Sequence, residues 1–280
     1  PSGYVGLVGR VTYDYARKYM VDFNIGYNGS ENFHADRRFG VFPAVSAGWV
    51  VSEEQFVKGQ DILSFLKIRG SYGIVGNDKL GDHRFLYLPD SYKLSGSGYY
   101  FGTNDTWYPG ASEGQMGNQN VTWETARKVN VGIDAYFFND RLKLTADAFS
   151  EKRTDILIQP NTTPSIWGIS SSNEVGINRG RVNNKGIEIS LGWEDKPVAD
   201  FRYWINGNLS YSRNKIIEMD EVLYDEPYRQ RTGHSVGQFF GREFYGFYYS
   251  GIEEQYKKDV GVDNFPNHGY SLQPGDAVYY

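Results

Sequence analysis

Polar and charged residues alternate with apolar ones over long stretches of this 280-residue chain. In one such stretch, Asp22 and Asn24 alternate with Val21, Phe23 and Ile25. Successive side chains of a β-strand point to opposite faces, so this stretch has one polar face and one apolar face. The chemistry open to these polar residues is solvation and ion pairing with whatever lies against the polar face.

Residues with catalytic or metal-binding potential do not form a recognisable site in the sequence. The four histidines fall in predicted loops and lack the spacing of metal ligands. The carboxylate pairs Glu53-Glu54 and Glu253-Glu254 lie in polar connections, where we expect solvated surface rather than general acid–base catalysis. We therefore predict no catalytic residue, no metal site, no cofactor and no enzymatic activity.

Composition narrows the classes of function further. The chain has no cysteine, so neither a disulfide framework nor a cysteine metal site is available. Its net charge of −5 provides no basic field, and we expect no nucleic-acid partner. The mean hydropathy of −0.55 resembles that of a soluble protein. A transmembrane barrel also averages out as polar, because half of each strand faces water.

Eight stretches fit the two-residue period of a β-strand. They cover residues 5–15, 19–27, 39–51, 66–74, 128–137, from 141 onward, 186–194 and 201–212, and a weaker aromatic-rich run covers 239–249. Most have about 9–13 residues, whereas strands of soluble proteins more often have ~5–6. Because a tilted strand needs ~9–11 residues to cross a bilayer, these lengths favour a membrane β-barrel.

The links between these stretches alternate in length. Short or moderate links lie at 16–18, 52–65, 139–140 and 195–200, and long ones lie at 28–38, 75–127, 159–185 and 213–235. Outer-membrane barrels combine short periplasmic turns with long extracellular loops. Aromatic residues flank all four shorter links, as expected at a membrane–water interface. The sequence therefore predicts an all-β chain that forms part of an antiparallel transmembrane β-barrel wall.

The polar faces of the predicted strands supply the candidate channel residues. An Arg or Lys that faces lipid near the middle of the membrane costs ~2–4 kcal/mol, so we expect these side chains to point into the barrel. There they would solvate the channel. The lumen-facing candidates are Arg10, Asp22, Asn24, Lys67, Arg69, Lys128, Asn130, Asp134, Glu188, Arg202, Asn206 and Asn208.

Aromatic residues in the predicted extracellular loops form a second candidate set. Aromatic faces suit stacking against sugars or peptides, and binding residues concentrate in loops. Packing on one another or on a partner protein is the favoured interpretation of this cluster. The candidates for ligand or partner contact are Tyr99, Tyr100, Trp107, Tyr108 and Trp167.

Five segments carry motifs of one protein family. They cover residues 38–56, which begin RFGVFPAVSAGW, and 66–77, 120–142, 184–188 and 237–276. In this order they resemble segments of the SusC/RagA-type TonB-dependent outer-membrane transporters. The resemblance extends over nearly the whole chain.

This resemblance implies a 22-stranded barrel with an N-terminal plug domain. Residues 1–280 would form part of the barrel domain, and we expect the plug domain and the final strands to be absent from this sequence. The implied function is uptake of a glycan oligomer or a peptide across the bacterial outer membrane. The implied partners are a SusD-like surface lipoprotein, the TonB complex (through the missing plug region) and outer-membrane lipid.

Two other functions remain open at the level of the sequence. A secreted β-rich carbohydrate-active enzyme or lectin would use the same aromatics and carboxylates, and it would bury Val21, Phe23 and Ile25 against a second sheet. A barrel exposes these side chains to acyl chains instead, so their exposure discriminates between the two. A passive porin fits the strand pattern but not the family motifs.

Overall fold

The computed structural model of the chain divides into two compact units, Pro1–Val236 and Gly237–Tyr280. The structure describes residues 3–58, 62–81, 84–89, 93–103, 105–112, 114–164, 166, 173–224, 227–267 and 269–279. Among these residues, the first unit contains ten β-strands, and the second contains two short strands and one α-helix.

The first unit is built around one antiparallel sheet of eight strands. Each strand pairs with the next long strand along the chain, and β1 and β10 lie at the two open edges. The remaining two strands, β5 and β6, form a separate hairpin within the link from β4 to β7. The strands are β1 (Tyr4–Tyr15), β2 (Tyr19–Ser30), β3 (Phe39–Val50), β4 (Leu63–Asn77), β5 (Lys93–Phe101), β6 (Thr106–Ser112), β7 (Glu124–Phe137), β8 (Leu142–Ile158), β9 (Ile177–Val198) and β10 (Phe201–Glu218).

All eight predicted strands are present, which confirms the all-β barrel-wall prediction, but several are longer than their alternating stretches. β9 has 22 residues and includes residues 177–185, which are rich in Asn and Arg and carry no clean alternation. Backbone pairing with β8 and β10 orders this part of β9. Strand pairing therefore extends the sheet beyond the local pattern, because it satisfies backbone N–H and C=O groups.

The register places the alternating apolar side chains on one face of the sheet. Directly opposite residues of antiparallel strands share a face, and Phe23 lies opposite Val11 on β1 and Val45 on β3. Val21, Phe23 and Ile25 are 44%, 45% and 39% exposed. This exposure is expected of a barrel wall and argues against the buried sandwich core of a secreted enzyme or lectin.

An aromatic ladder lies at the end of the sheet where the links are short. The rings of Tyr15 and Tyr19, and those of Tyr19 and Trp49, stack with centroids 6.5 Å apart. Glu54 in the following turn accepts hydrogen bonds from the Tyr19 hydroxyl at 2.6 Å and from the Trp49 indole at 3.2 Å. The Tyr19 hydrogen bond is the main reason that the pKa of Glu54 lies below its usual value. Rings with one polar edge held in this way suit a membrane–water interface.

The long loops pack into a small hydrophobic core at the opposite end of the sheet. The Trp123 ring lies 5.2 Å, centroid to centroid, from both Phe33 and Phe42. At Gly76 a Cβ would overlap the Phe42 ring, so glycine permits this packing. The buried core residues are Phe33, Leu80, Leu86, Val121, Trp123 and Val175. Burial of these side chains explains why much of the long-loop sequence adopts a defined structure.

The link from β4 to β7 corrects the prediction of one long loop, because it contains the β5–β6 hairpin. Across this hairpin Tyr100 packs on Trp107 with ring centroids 5.0 Å apart, and Phe101 packs on Tyr108 at 5.7 Å. Cross-strand aromatic pairs of this kind stabilise a hairpin. The Ser- and Gly-rich composition of residues 95–98 conceals the strand pattern in the sequence.

The second unit contains β11 (Phe244–Phe247), α1 (Ile252–Val260) and β12 (Ala277–Tyr279). β11 and β12 pair antiparallel, and a small core forms around Tyr256 of the helix. The strand-like run predicted at 239–249 is thus wrong outside β11. Tyr245 and Tyr248 pack against the small core, whereas Phe239 is almost fully exposed. No helix among the described residues is long and apolar enough to cross a membrane.

Val131→Lys is expected to destabilise the full-length protein by about 2–4 kcal/mol, because it places an ammonium group in lipid from the middle of β7. Asn130→Lys is the matched control. It places the same group on the polar face and is expected to cost less than about 1 kcal/mol. Urea titration of the protein refolded into lipid vesicles measures both changes. Equal destabilisation by the two variants would contradict the assignment of the faces.

Candidate functional site

The twelve predicted lumen-facing residues all lie on the polar face of the sheet. The pairing runs continuously across four strands, since Arg69 is opposite Gly132, Gly132 is opposite Asp147, and Asp147 is opposite Glu188. The same register connects the other strands. The residues on this face are Arg10, Asp22, Asn24, Lys67, Arg69, Lys128, Asn130, Asp134, Glu188, Arg202, Asn206 and Asn208.

Arg69 is at the centre of the charge network on the polar face. Its two terminal nitrogens donate to Asp147 at 2.8 and 2.6 Å, and its Nε donates to Asp134 at 3.1 Å. Thr145 donates a further hydrogen bond of 3.1 Å to the second oxygen of Asp134. The planar guanidinium group matches this bidentate geometry. One arginine therefore connects β4, β7 and β8.

Negative charge exceeds positive charge around this network. Lys67 is opposite Asp134, and Glu188 is opposite Asp147 on one side and Ser210 on the other. Among the described residues, Glu188 forms no salt bridge. Like charges that face each other across a strand pair destabilise a sheet, so the Arg69–Asp147 contact reduces this repulsion. The arrangement leaves Glu188 available to a cationic group placed against the polar face.

Ion pairs at the two edges of the sheet are more exposed. At the β1 edge Arg10 donates to Asp22 at 2.9 and 3.1 Å, and Thr12 donates to the same carboxylate at 2.7 Å. At the β10 edge Arg202 pairs with Glu194. The arginine side chains are 63% and 60% exposed, so each pair contributes little to stability in water.

A chain of four charges lies nearer the long loops. Lys128 is 3.4 Å from Glu151, which also accepts a hydrogen bond of 2.8 Å from Arg153. Arg153 reaches Glu124 at 3.2 Å. Amide side chains occupy further positions of the polar face, namely Asn24, Asn130, Asn206 and Asn208. The face thus offers both signs of charge together with neutral hydrogen-bonding groups.

The polar face also carries aliphatic residues that the sequence prediction missed. Val182 of β9 lies opposite Ile216 of β10 and opposite Arg153 of β8. A register shift after Arg153 brings Ile156 to the same groove. One feature of the sequence could have revealed these residues. The run Ile156-Leu157-Ile158 breaks the two-residue period at the end of β8.

The loop aromatics pack on each other and remain accessible. The four that the structure describes are 42–70% exposed on the β5–β6 hairpin, namely Tyr99, Tyr100, Trp107 and Tyr108. Trp167 lies outside the described residues. Contact of these rings with a ligand or a partner stays a prediction.

Metal-binding groups do not converge within the described part of the chain. No three His, Cys, Asp or Glu side chains are placed there to hold an ion. His34 lies 3.4 Å from Asp36 and packs edge-on against the ring of Tyr87. His83 and His268 lie outside the described residues.

Asp220 connects the segment after β10 to the segment after β8. Its buried carboxylate accepts hydrogen bonds from the backbone N–H groups of Asn161 at 2.7 Å and Thr162 at 3.1 Å. Arg179 lies 3.6 Å away. The hydrogen bond from Asn161 is the largest reason that the pKa of Asp220 lies below its usual value. This contact holds two long links together at the long-loop end of the sheet.

Arg69→Ala is expected to destabilise the full-length protein by about 1–3 kcal/mol, because Asp134 and Asp147 lose their shared cation. Adding Asp147→Ala should recover part of the loss, and a double-mutant cycle by urea titration measures the coupling. Arg10→Ala is the control, with an expected loss below about 1 kcal/mol. A loss for Arg10→Ala as large as that for Arg69→Ala would refute the central role of Arg69.

Asp220→Asn is expected to raise protease cleavage at residues 159–164 about tenfold, because charge-assisted hydrogen bonds contribute ~1.5–3 kcal/mol. Limited proteolysis with mass spectrometry measures the change, and the exposed Asp36→Asn serves as control. Since folding lowers the pKa of Asp220, its stabilisation is present above the ordinary Asp range. It is lost only as the pH falls through the lowered value. Cleavage of Asp220→Asn at the wild-type rate would contradict this role.

Comparisons with known proteins agree with this architecture. The family model of the TonB dependent receptor-like β-barrel matches residues 3–277. A TonB-dependent receptor of Formosa agariphila is 32% identical over 265 residues, which are 93% of this chain and 24% of that protein. The TonB-dependent receptor SusC of Bacteroides thetaiotaomicron is 31% identical over 215 residues, 77% of this chain and 21% of that protein. The chain thus spans about a quarter of the length of these relatives.

Solved structures share the fold. The RagAB peptide importer in its "closed-closed" state superposes on 100% of this chain and 30% of its own chain, with a TM-score of 0.72 and 21% identity. The RagAB peptide transporter gives a TM-score of 0.71 over 88% of this chain and 26% of its own, with 24% identity. The two-faced antiparallel sheet and the family match lead to one assignment. The chain belongs to the TonB-dependent receptor-like β-barrel family, and it is similar to the TonB-dependent receptor SusC and to the RagAB transporter.

Proposed function

We propose that the protein containing this chain imports a glycan oligomer or a peptide across the bacterial outer membrane, using energy delivered through TonB. The chain contributes part of the barrel wall and part of the extracellular vestibule. One observation carries this proposal: a single sheet presents exposed apolar side chains on one face and ion-paired polar side chains on the other. A wall between hydrocarbon and an aqueous interior requires this division.

The polar face is suited to hold an internal plug and to solvate the channel. Arg69 cross-links three strands in the middle of the wall, while Glu188 and the amides of Asn130 and Asn208 remain on the same face for contacts with water or protein. No covalent step is required of these groups. Their work is to keep charged side chains out of lipid and to offer hydrogen bonds along the channel.

We also propose a SusD-like surface lipoprotein as partner at the long-loop end of the wall. The exposed rings of Tyr100, Trp107 and Tyr108 are suited to such a contact, because aromatic residues are enriched in protein interfaces. The fold that this chain shares with the RagAB peptide importer supports a peptide as the substrate. TonB would act through regions of the protein outside this chain.

Cell fractionation and uptake measurements test this function with the full-length protein. We expect the protein in the detergent-extracted outer-membrane fraction, and we expect uptake of labelled oligosaccharide or peptide that stops on deletion of TonB. Recovery of the protein in a soluble fraction without detergent would defeat the transporter proposal. Uptake that continues without TonB would instead establish a passive porin.

A further inference from the structure

An aliphatic patch interrupts the polar face close to the long loops. Ile156, Val182 and Ile216 come from three neighbouring strands, and Met219 and Val236 extend the patch from the segment after β10. The side chains of the first three are half-buried. They line a groove of about 440 Å³, a volume within the ~300–1,000 Å³ range of small-molecule sites. The patch is therefore large enough to cover one apolar side chain of a ligand.

A local distortion of β8 creates this patch. The register changes between Arg153 and Ile156 and again between Ile156 and Leu157. Asp155 between them has a φ of 57°, which lies in the left-handed region that side chains other than glycine seldom adopt. Regular alternation would turn position 156 toward the apolar outer face, where an isoleucine belongs. The bulge instead brings Ile156 to the inner groove, and bulges often re-aim side chains in this way near binding sites.

Several hydrogen bonds hold the distorted segment. The Asp155 carboxylate accepts bonds from the hydroxyls of Thr154 at 2.9 Å and Thr125 at 3.3 Å. The Asp155 carbonyl accepts a bond of 2.6 Å from the Asn178 amide, which also donates to the Thr122 carbonyl at 3.0 Å. A strained residue persists when its surroundings determine its position, and such residues cluster at ligand sites.

The rim of the groove provides hydrogen-bonding groups of both charges. Glu151 and Arg153 lie on one side, and the Arg181–Glu218 pair, 3.2 Å apart, lies on the other. Asn184 lines the same groove, and its carboxamide has no hydrogen-bond partner among the described residues. A carboxamide can both donate to and accept from a peptide bond. The rim therefore fits a zwitterionic ligand with backbone amides.

We propose that this groove binds a peptide substrate by one aliphatic side chain, with Ile156, Val182 and Ile216 as its apolar floor. This inference rests on the proposed import function and selects the peptide over the glycan. The lining of the groove within the described residues contains no aromatic ring, whereas sugars favour aromatic faces for stacking. A leucine side chain on an aliphatic floor removes apolar surface from water, which favours binding.

Calorimetric titration of the purified full-length transporter in detergent, with its lipoprotein partner, tests the proposal. The probes are trileucine and a linear glucose hexasaccharide. In the double variant Val182→Asn/Ile216→Asn, the Kd for trileucine is expected to rise at least about tenfold. The matched control is Val8→Asn, which makes the same change on the polar face of the distant strand β1 and should leave the Kd within about twofold. A heat-modifiable band on electrophoresis shows that each variant is folded.

Three results would overturn the inference: no binding of trileucine to the wild type, an unchanged Kd in the folded double variant, or weakened hexasaccharide binding in that variant with no effect on trileucine. Uptake assays separate this failure from failure of the import function. TonB-dependent uptake of the hexasaccharide without peptide binding would retain the transporter and reject the peptide site. Absence of TonB-dependent uptake of both probes would reject the import function whatever the titration shows.

Discussion

Register is the constraint on which the rest of this structure depends. Side chains alternate with a period of two, so a slip of one residue between strands would move Arg69 and Asp147 to the face of Val131 and Ile133. That slip would place charged side chains in hydrocarbon and apolar side chains in water. Paired strands also satisfy their backbone N–H and C=O groups, which lipid cannot do. The same pairing that spans the membrane thus separates the two chemical faces.

Charge on the polar face is arranged unevenly across the sheet. The pairs at Arg10 and Arg202 are exposed and contribute little, whereas Arg69 makes three hydrogen bonds that connect β4 with β7 and β8. Without its guanidinium, Asp147 would face Glu188 with no cation paired to either carboxylate. The aliphatic patch around Ile156 on this face coincides with the bulge at Asp155. The Arg69 ion pairs that stabilise the sheet and the proposed ligand groove therefore lie at different heights along the strands.

The loops owe their order to tertiary contacts of two kinds. Trp123 packs against Phe33 and Phe42, and together these residues form a core from segments that are far apart in the sequence. Asp220 supplies a polar connection between segments distant in sequence, with hydrogen bonds to Asn161 and Thr162. Both sets of contacts restrict the conformational freedom of loop segments that take no part in strand pairing. They place exposed side chains at the mouth of the wall, where a substrate or a partner would arrive.

The sequence by itself determined the eight long strands, the alternation of short and long links, and the polar set that includes Asp22, Arg69 and Glu188. These features depend on the two-residue period, which is a local property and can be read along the chain. Only the tertiary structure decided the β5–β6 hairpin, the length of β9 and the groove at Ile156. A bulge changes the face on which the following residues lie, without changing the composition of the strand. Hairpin and loop packing depend on partners far away in sequence. For that reason the faces were predictable and the groove on one of them was not.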